Sequence, residues 1–165
     1  MMPVRFSAPW SMSLKRTTIA LVIVLIVVAA GGFLFAPVRI YLIAAPATIL
    51  GVAALLSVRG YELQAKQLLI HRLAWSTRIP TSDLKAADGR SEVLNEAKPL
   101  LACVGLFSYV GFYWHAEWRL MRVFATDPLR AVIVSFANRR IVITPHDPQQ
   151  FIVRARTMLK TKDFD

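Results

Sequence analysis

Residues 100–114 read LLACVGLFSYVGFYW. How this uncharged run is placed decides the architecture of everything after it. A membrane-crossing helix takes about 20 apolar residues, and this run has fifteen, interrupted by Gly105, Ser108 and Gly111. It is therefore read as a buried strand pair or a glycine-bearing loop inside one domain. The alternative, a third membrane span, would carry the later segments to the opposite side of the bilayer.

Toward the C-terminus the pattern is that of strands. Residues 118–126 (WRLMRVFAT) alternate, Asp127-Pro128 marks a turn, and residues 130–136 form a β-branched strand. A turn over 137–139 leads to a further strand over 140–144. Asp147 then suits an N-cap, with Pro148 at the first helical position, where a missing N–H costs nothing. Phe151, Ile152, Ala155, Met158 and Leu159 recur on one helical face. Arg154, Arg156, Lys160 and Lys162 take the polar side and the C-terminal end. The pattern predicts a closing helix over about 147–160.

Toward the N-terminus, residues 86–98 (AADGRSEVLNEAK) are the most polar of the chain and read as an exposed loop with a short helical turn. Residues 61–64 and 68–75 read as a β-hairpin with its turn near 65–67, continued by an extended run over 76–79. Pro80 ends that run or sits on an edge.

Ahead of these strands lie two apolar stretches, 17–36 and 40–58. Twenty helical residues at about 1.5 Å each span roughly 30 Å, the thickness of the hydrocarbon core. The first run exceeds the ~7–15 apolar residues typical of a signal peptide. The short link over 36–39 makes the two helices antiparallel. Lys15 and Arg16 before the first span, and Arg59, Lys66 and Arg72 after the second, outweigh Arg39 on the far side. By the positive-inside rule both termini are expected in the cytoplasm. Pro46 falls within the second span, and Ala44, Ala45, Ala47, Gly51, Ala53 and Ala54 offer a small-residue surface for packing. The expected division is a basic cytoplasmic segment 1–16, a transmembrane hairpin 17–58 and a domain 59–165. The fold class expected is α+β, with two transmembrane helices followed by a bent antiparallel sheet or barrel closed by a C-terminal helix.

Several of these features, in this order, resemble the bacterial pleckstrin-homology-like proteins that carry two N-terminal membrane helices. Tyr61-x-Leu63 and Leu68-x-Ile70 look like the first hairpin, and Ile79-Pro80-x-x-Asp83-Leu84 like the stretch that follows it. Gly105 to Gly111 is similar to the glycine-aromatic segment in mid-domain. Arg140-Ile141-Val142-Ile143-Thr144-Pro145-x-Asp147-Pro148-x-x-Phe151 is similar to the last strand and the start of the closing helix. The resemblance implies about seven strands and a binding module. It implies little chemistry, because one fold hosts many functions. The dense basic signature of phosphoinositide-binding relatives is missing from the first hairpin.

Net charge is +10, with 20 Lys and Arg against 10 Asp and Glu. This excludes an acidic partner-mimic and favours anionic lipid, nucleic acid or an acidic protein. Cys103 is the single cysteine, so no intrachain disulfide forms, and it reads as a small apolar side chain. No phosphate-binding loop, nucleophile elbow or zinc-ligand spacing occurs. His115-Ala116-Glu117 lacks the paired cysteines of a zinc deaminase. His71 reads as solvent-facing and His146 as a turn residue. No catalytic residue, metal or cofactor is expected. Trp114, Trp118 and Tyr113 beside Arg119 and Arg122 interleave bases and aromatics as single-strand binders do. On a tethered domain they read as packing or an interfacial belt, and no nucleic acid partner is expected. Arg59, Lys66, Arg72, Arg139 and Arg140 form the candidate patch for anionic lipid headgroups or a protein partner. The expected function is a membrane-anchored, non-enzymatic binding or scaffolding module. The alternatives are an accessory subunit held through its helical hairpin, and a membrane-bound enzyme whose site is assembled only by folding.

Overall fold

The computed structural model describes residues 4–32 and 36–162. Helix α1 runs Met12–Gly31, because the Ser11 hydroxyl caps it by accepting from the Leu14 N–H at 3.1 Å. It therefore begins earlier than the apolar run does, and Lys15 and Arg16 lie in its first turns. Gly32 ends it by donating to Ala29, at 3.1 Å, and Ala30. Residues 33–35 of the expected first span lie outside the described residues. A 3₁₀ turn, Ala36–Val38, precedes helix α2, Arg39–Leu56. Both helices are long and apolar enough to cross a membrane. Ile19 and Val27 of α1 and Ile40 of α2 stay more than half exposed.

The chain then forms two sheets. Strands β1 (Val4–Ser7), β2 (Val58–Leu63), β3 (Gln67–Arg72) and β4 (Ser76–Pro80) make a four-stranded antiparallel sheet in sequence order. The expected first hairpin is β2–β3, and β4 is an edge strand ending at Pro80. Strand β1 comes from ahead of α1 and pairs with β2, Phe6 opposite Tyr61. The second sheet holds β5 (Leu84–Gly89), β6 (Lys98–Leu106), β7 (Ser108–His115), β8 (Arg119–Ala125), β9 (Val132–Phe136) and β10 (Arg140–Ile143). Their order is β5-β9-β10-β8-β7-β6. A short helix α3 (Val93–Glu96) precedes β6, and helix α4 (Pro148–Lys162) ends the described chain.

The α+β class holds, with two N-terminal helices, a PH-like sheet region and a C-terminal helix, while five details change. The sheets do not close into a barrel. The strands number ten among the described residues, and β10 lies parallel to β8, Val142 opposite Val123. The first half of the polar loop is strand β5, paired with β9, where Ala87 is buried and Gly89 lets Ile152 of α4 approach. Residues 100–114 do form a strand pair, β6–β7, but it is half open rather than buried: Leu101 is 75% exposed.

The main core lies between the sheets. Tyr61, Leu68 and Ile70 meet Phe124, Val134, Ile141 and Ile143 there, and Phe151, Ile152 and Ala155 of α4 close one side. The Asp147 carboxylate accepts from the Gln150 N–H at 2.9 Å and caps α4 as expected. A second core, with Met121, Val123, Ile133 and Val142, fills the outer face of the six-stranded sheet beside α3. Helix α4 covers the β5 side, so the wider sheet stays uncovered on its β6–β7–β8 side.

The domain is fastened to the helices by the β6–β7 turn. The Thr18 hydroxyl of α1 donates to the Gly105 carbonyl at 3.0 Å and accepts from the Phe107 N–H at 3.2 Å. Gly105 has φ +81°, and a Cβ there would lie 2.8 Å from Thr17 Cγ2. Glycine answers both the backbone and the close approach.

Candidate functional site

The uncovered inner face has a simple register. Across β6, β7 and β8, Cys103, Val110 and Phe124 stand in one row. Leu101, Phe112 and Arg122 stand in the next, farther from the turn that touches α1. These rows line a cleft of about 490 Å³, bounded also by Leu56 at the end of α2, by Arg72 of β3 and by Trp75 in the β3–β4 turn.

Two arginines enter this largely apolar space. The Arg72 guanidinium lies 5.1 Å from the Phe124 ring centroid and 5.6 Å from that of Trp75. Arg122 lies 5.0 Å from the same Phe124 ring and 5.8 Å from Phe112. Aromatic faces favour such cations by roughly 0.5–2 kcal/mol each, without neutralising them. Among the described residues neither arginine has a carboxylate partner. Arg72 Nη1 donates weakly to the Leu56 carbonyl at 3.4 Å, while its Nε is buried without a partner. Burial first, and the neighbouring Arg122 second, push the Arg72 guanidinium below its ordinary pKa. An unpaired buried donor costs about 1–3 kcal/mol. The cleft thus holds two cationic forks, and an anion with several acceptor oxygens would satisfy both.

The residues of the expected patch are dispersed. Arg59 is exposed at an irregularity in β2, close to Arg72 because Val58 pairs with Arg72. Lys66 sits in the β2–β3 turn, at the opposite end of β3. Arg139 lies over Phe136 at 5.0 Å in the β9–β10 turn. Arg140 lies over Trp118 at 5.7 Å and donates to the Trp118 carbonyl at 2.8 Å, on the outer face of its sheet. Of the five, Arg72 lines the cleft. Its partner there, Arg122, was placed by the sequence only within an aromatic-basic cluster. The signal that would have found it is the alternation of β8, which puts Leu120, Arg122 and Phe124 on one face. The aromatic-basic cluster itself divides: Trp114 pairs with Leu120 on the inner face, whereas Trp118 packs on the outer core.

The histidines are held by local bonds. His115 is buried; its Nδ1 accepts from the Glu117 and Trp118 N–H groups, which leaves Nε2–H to donate to Glu96 at 3.1 Å. His71 is not simply solvent-facing, since it bonds Glu62 at 3.1 Å and Ser76 at 2.9 Å. His146 lies in the loop before α4 and donates its N–H to the Ser7 carbonyl at 2.9 Å. No group of three or more His, Cys, Asp or Glu is arranged for a metal among the described residues. Cys103 is half-buried on the cleft floor, and burial raises its thiol pKa.

The family model described as bacterial PH domain matches residues 59–158. No curated protein and no solved structure matches the chain significantly. The matched segment runs from the start of β2 into α4, and it includes both arginines of the cleft. The chain belongs to the bacterial PH domain family.

Proposed function

We propose that this protein is a non-enzymatic binding module, anchored in the bacterial cytoplasmic membrane by α1 and α2, with both termini in the cytoplasm. The cleft between Arg72 and Arg122 receives an anionic group of its ligand. The observation that carries this reading is the pair of guanidinium groups, unneutralised, in an apolar cleft beside the last residue of α2. Lys15, Arg16 and Arg59 add positive charge near the same end of the helices, and each contributes about 1 kcal/mol of attraction to an anionic leaflet. Titration of the detergent-solubilised full chain with inorganic phosphate, followed by nitrogen NMR of the arginine side chains, tests the site. Resonances of Arg72 and Arg122 should move while those of Arg139 and Arg140 stay. If all four stay, the anion site is refuted.

A second reading is an accessory subunit of a larger membrane complex. It is supported by Ala44, Ala47 and Gly51, exposed on one face of α2, where a Cβ on Gly51 would meet nothing within 4 Å. Such a surface allows another helix to approach closely. Replacing Gly51 with Leu should then release a co-purifying membrane protein without altering phosphate binding.

A further inference from the structure

We infer that the cleft holds one anionic phospholipid of the surrounding bilayer, its phosphate between Arg72 and Arg122 and its acyl chain over Cys103, Val110 and Leu56. This rests on the anion-binding reading above and names the ligand class.

The inference comes from the order of the lining residues along the strands, counted from the turn that touches α1. The β6–β7 turn touches α1 at Thr17 and Thr18, the first uncharged residues after Lys15 and Arg16. That contact sets the turn at the edge of the hydrocarbon. Down the strands from it come first the apolar row of Cys103, Val110 and Phe124, then the row of Arg122. Two residues of strand separate the rows, about 7 Å. Arg72 is fixed at the same end of the domain, through the Leu56 carbonyl. Apolar wall and then cations is also the order of chain and phosphate in a leaflet. Above Leu56, Val52 and Leu55 of α2 remain exposed, so the apolar wall continues into the bilayer without a break. Leu73 and Trp75, about half exposed at the β3–β4 turn, flank the opening. Trp commonly occupies the headgroup level in this way. A soluble anion would use the two arginines but leave the apolar wall wet. A lipid covers both.

Cys103 lines the cleft and is the single cysteine, so its alkylation reports occupancy in the unaltered chain. The full chain is reconstituted in vesicles of phosphatidylcholine alone or mixed with phosphatidylglycerol, and maleimide labelling is timed. Lipid retained by the purified chain is weighed by native mass spectrometry. With phosphatidylglycerol, labelling should slow roughly tenfold, the factor for a ligand at about ten times its Kd. One phosphatidylglycerol should stay bound. Arg122→Gln, at a side chain that makes no hydrogen bond among the described residues, should lose both effects; Arg72→Lys should weaken them while keeping the fold. If inorganic phosphate slows labelling in phosphatidylcholine vesicles and phosphatidylglycerol adds nothing, the anion site stands and the lipid is refuted. If both vesicles protect equally, the preference for an anionic lipid is refuted, because phosphatidylcholine carries the same phosphodiester. If neither phosphate nor lipid protects, both readings fall.

Discussion

At the residue scale, two buried polar side chains stitch the molecule. The Tyr61 hydroxyl of β2 donates to the Phe124 carbonyl of β8 at 2.6 Å and accepts from the Thr144 N–H at 3.2 Å. Burial pushes its pKa up to about 12, so it stays a neutral donor at every physiological pH. Tyr61→Phe removes the hydroxyl that both backbone groups bond between the sheets. It should cost about 1–3 kcal/mol in denaturant unfolding. Glu62 joins β1 to the sheet through Arg5 at 2.8 Å. Hydrogen bonds from Gln64, then His71, then Arg5 bring its carboxyl down from 4.5 to about 2. A folded-state pKa below the unfolded one stabilises the fold fully above pH 4.5, and that stabilisation is lost as pH falls toward 2. Thermal stability should therefore fall more steeply between pH 5 and pH 2 for the native chain than for Glu62→Gln, the range set by these two values. Parallel slopes would show that Glu62 does not carry the effect.

At the element scale, the β6–β7 hairpin is the part that sequence left ambiguous. Gly111 makes it possible: its φ is +148°, and a Cβ there would lie 2.3 Å from the Leu101 carbonyl oxygen and 2.4 Å from Ala102 Cα. Those are backbone atoms that cannot move aside without breaking the pairing. Gly111→Ala should lower stability by about 1–3 kcal/mol and expose the hairpin to protease. The turn at the other end depends on α1. In Thr18→Val both hydrogen bonds to the turn are lost and the Phe107 amide is left open. Hydrogen exchange at Phe107 should speed up while exchange in β9 and β10 is unchanged, because local opening need not involve the core.

At the scale of the whole molecule, the helices and the sheets are one unit, joined by β1 on one side of α1, by the β6–β7 turn on its flank, and by α2 leading directly into β2. The proposed orientation makes a clean prediction. Reporters of cytoplasmic location fused near Gly89 and at the C-terminus should both be active, since no described segment crosses back. Cytoplasmic activity near Gly89 with periplasmic activity at the C-terminus would overturn the orientation and the cleft's access to the inner leaflet.

What was legible in the sequence was everything governed by local periodicity. The long apolar runs gave the two long helices, Asp147-Pro148 gave the start of α4, alternation gave β2 and β8, and the hairpin pattern, the β-branched run and the turn between 137 and 139 gave β3, β9 and β10. What was not legible depended on partners far along the chain. Val4–Ser7 is too short to announce a strand and becomes one because β2 offers it an edge. Residues 84–89 look polar because they lie at an edge, with one face under α4. The strand pair at 100–114 keeps its apolar side chains exposed because no strand of the smaller sheet reaches them. Composition determined by itself that this chain is basic and apolar enough for a membrane. Only the tertiary structure could bring Arg72 and Arg122 to the same Phe124 ring, at 5.1 and 5.0 Å from its centroid, because a cleft between sheets is set by how strands from different hairpins register, and no local pattern encodes that.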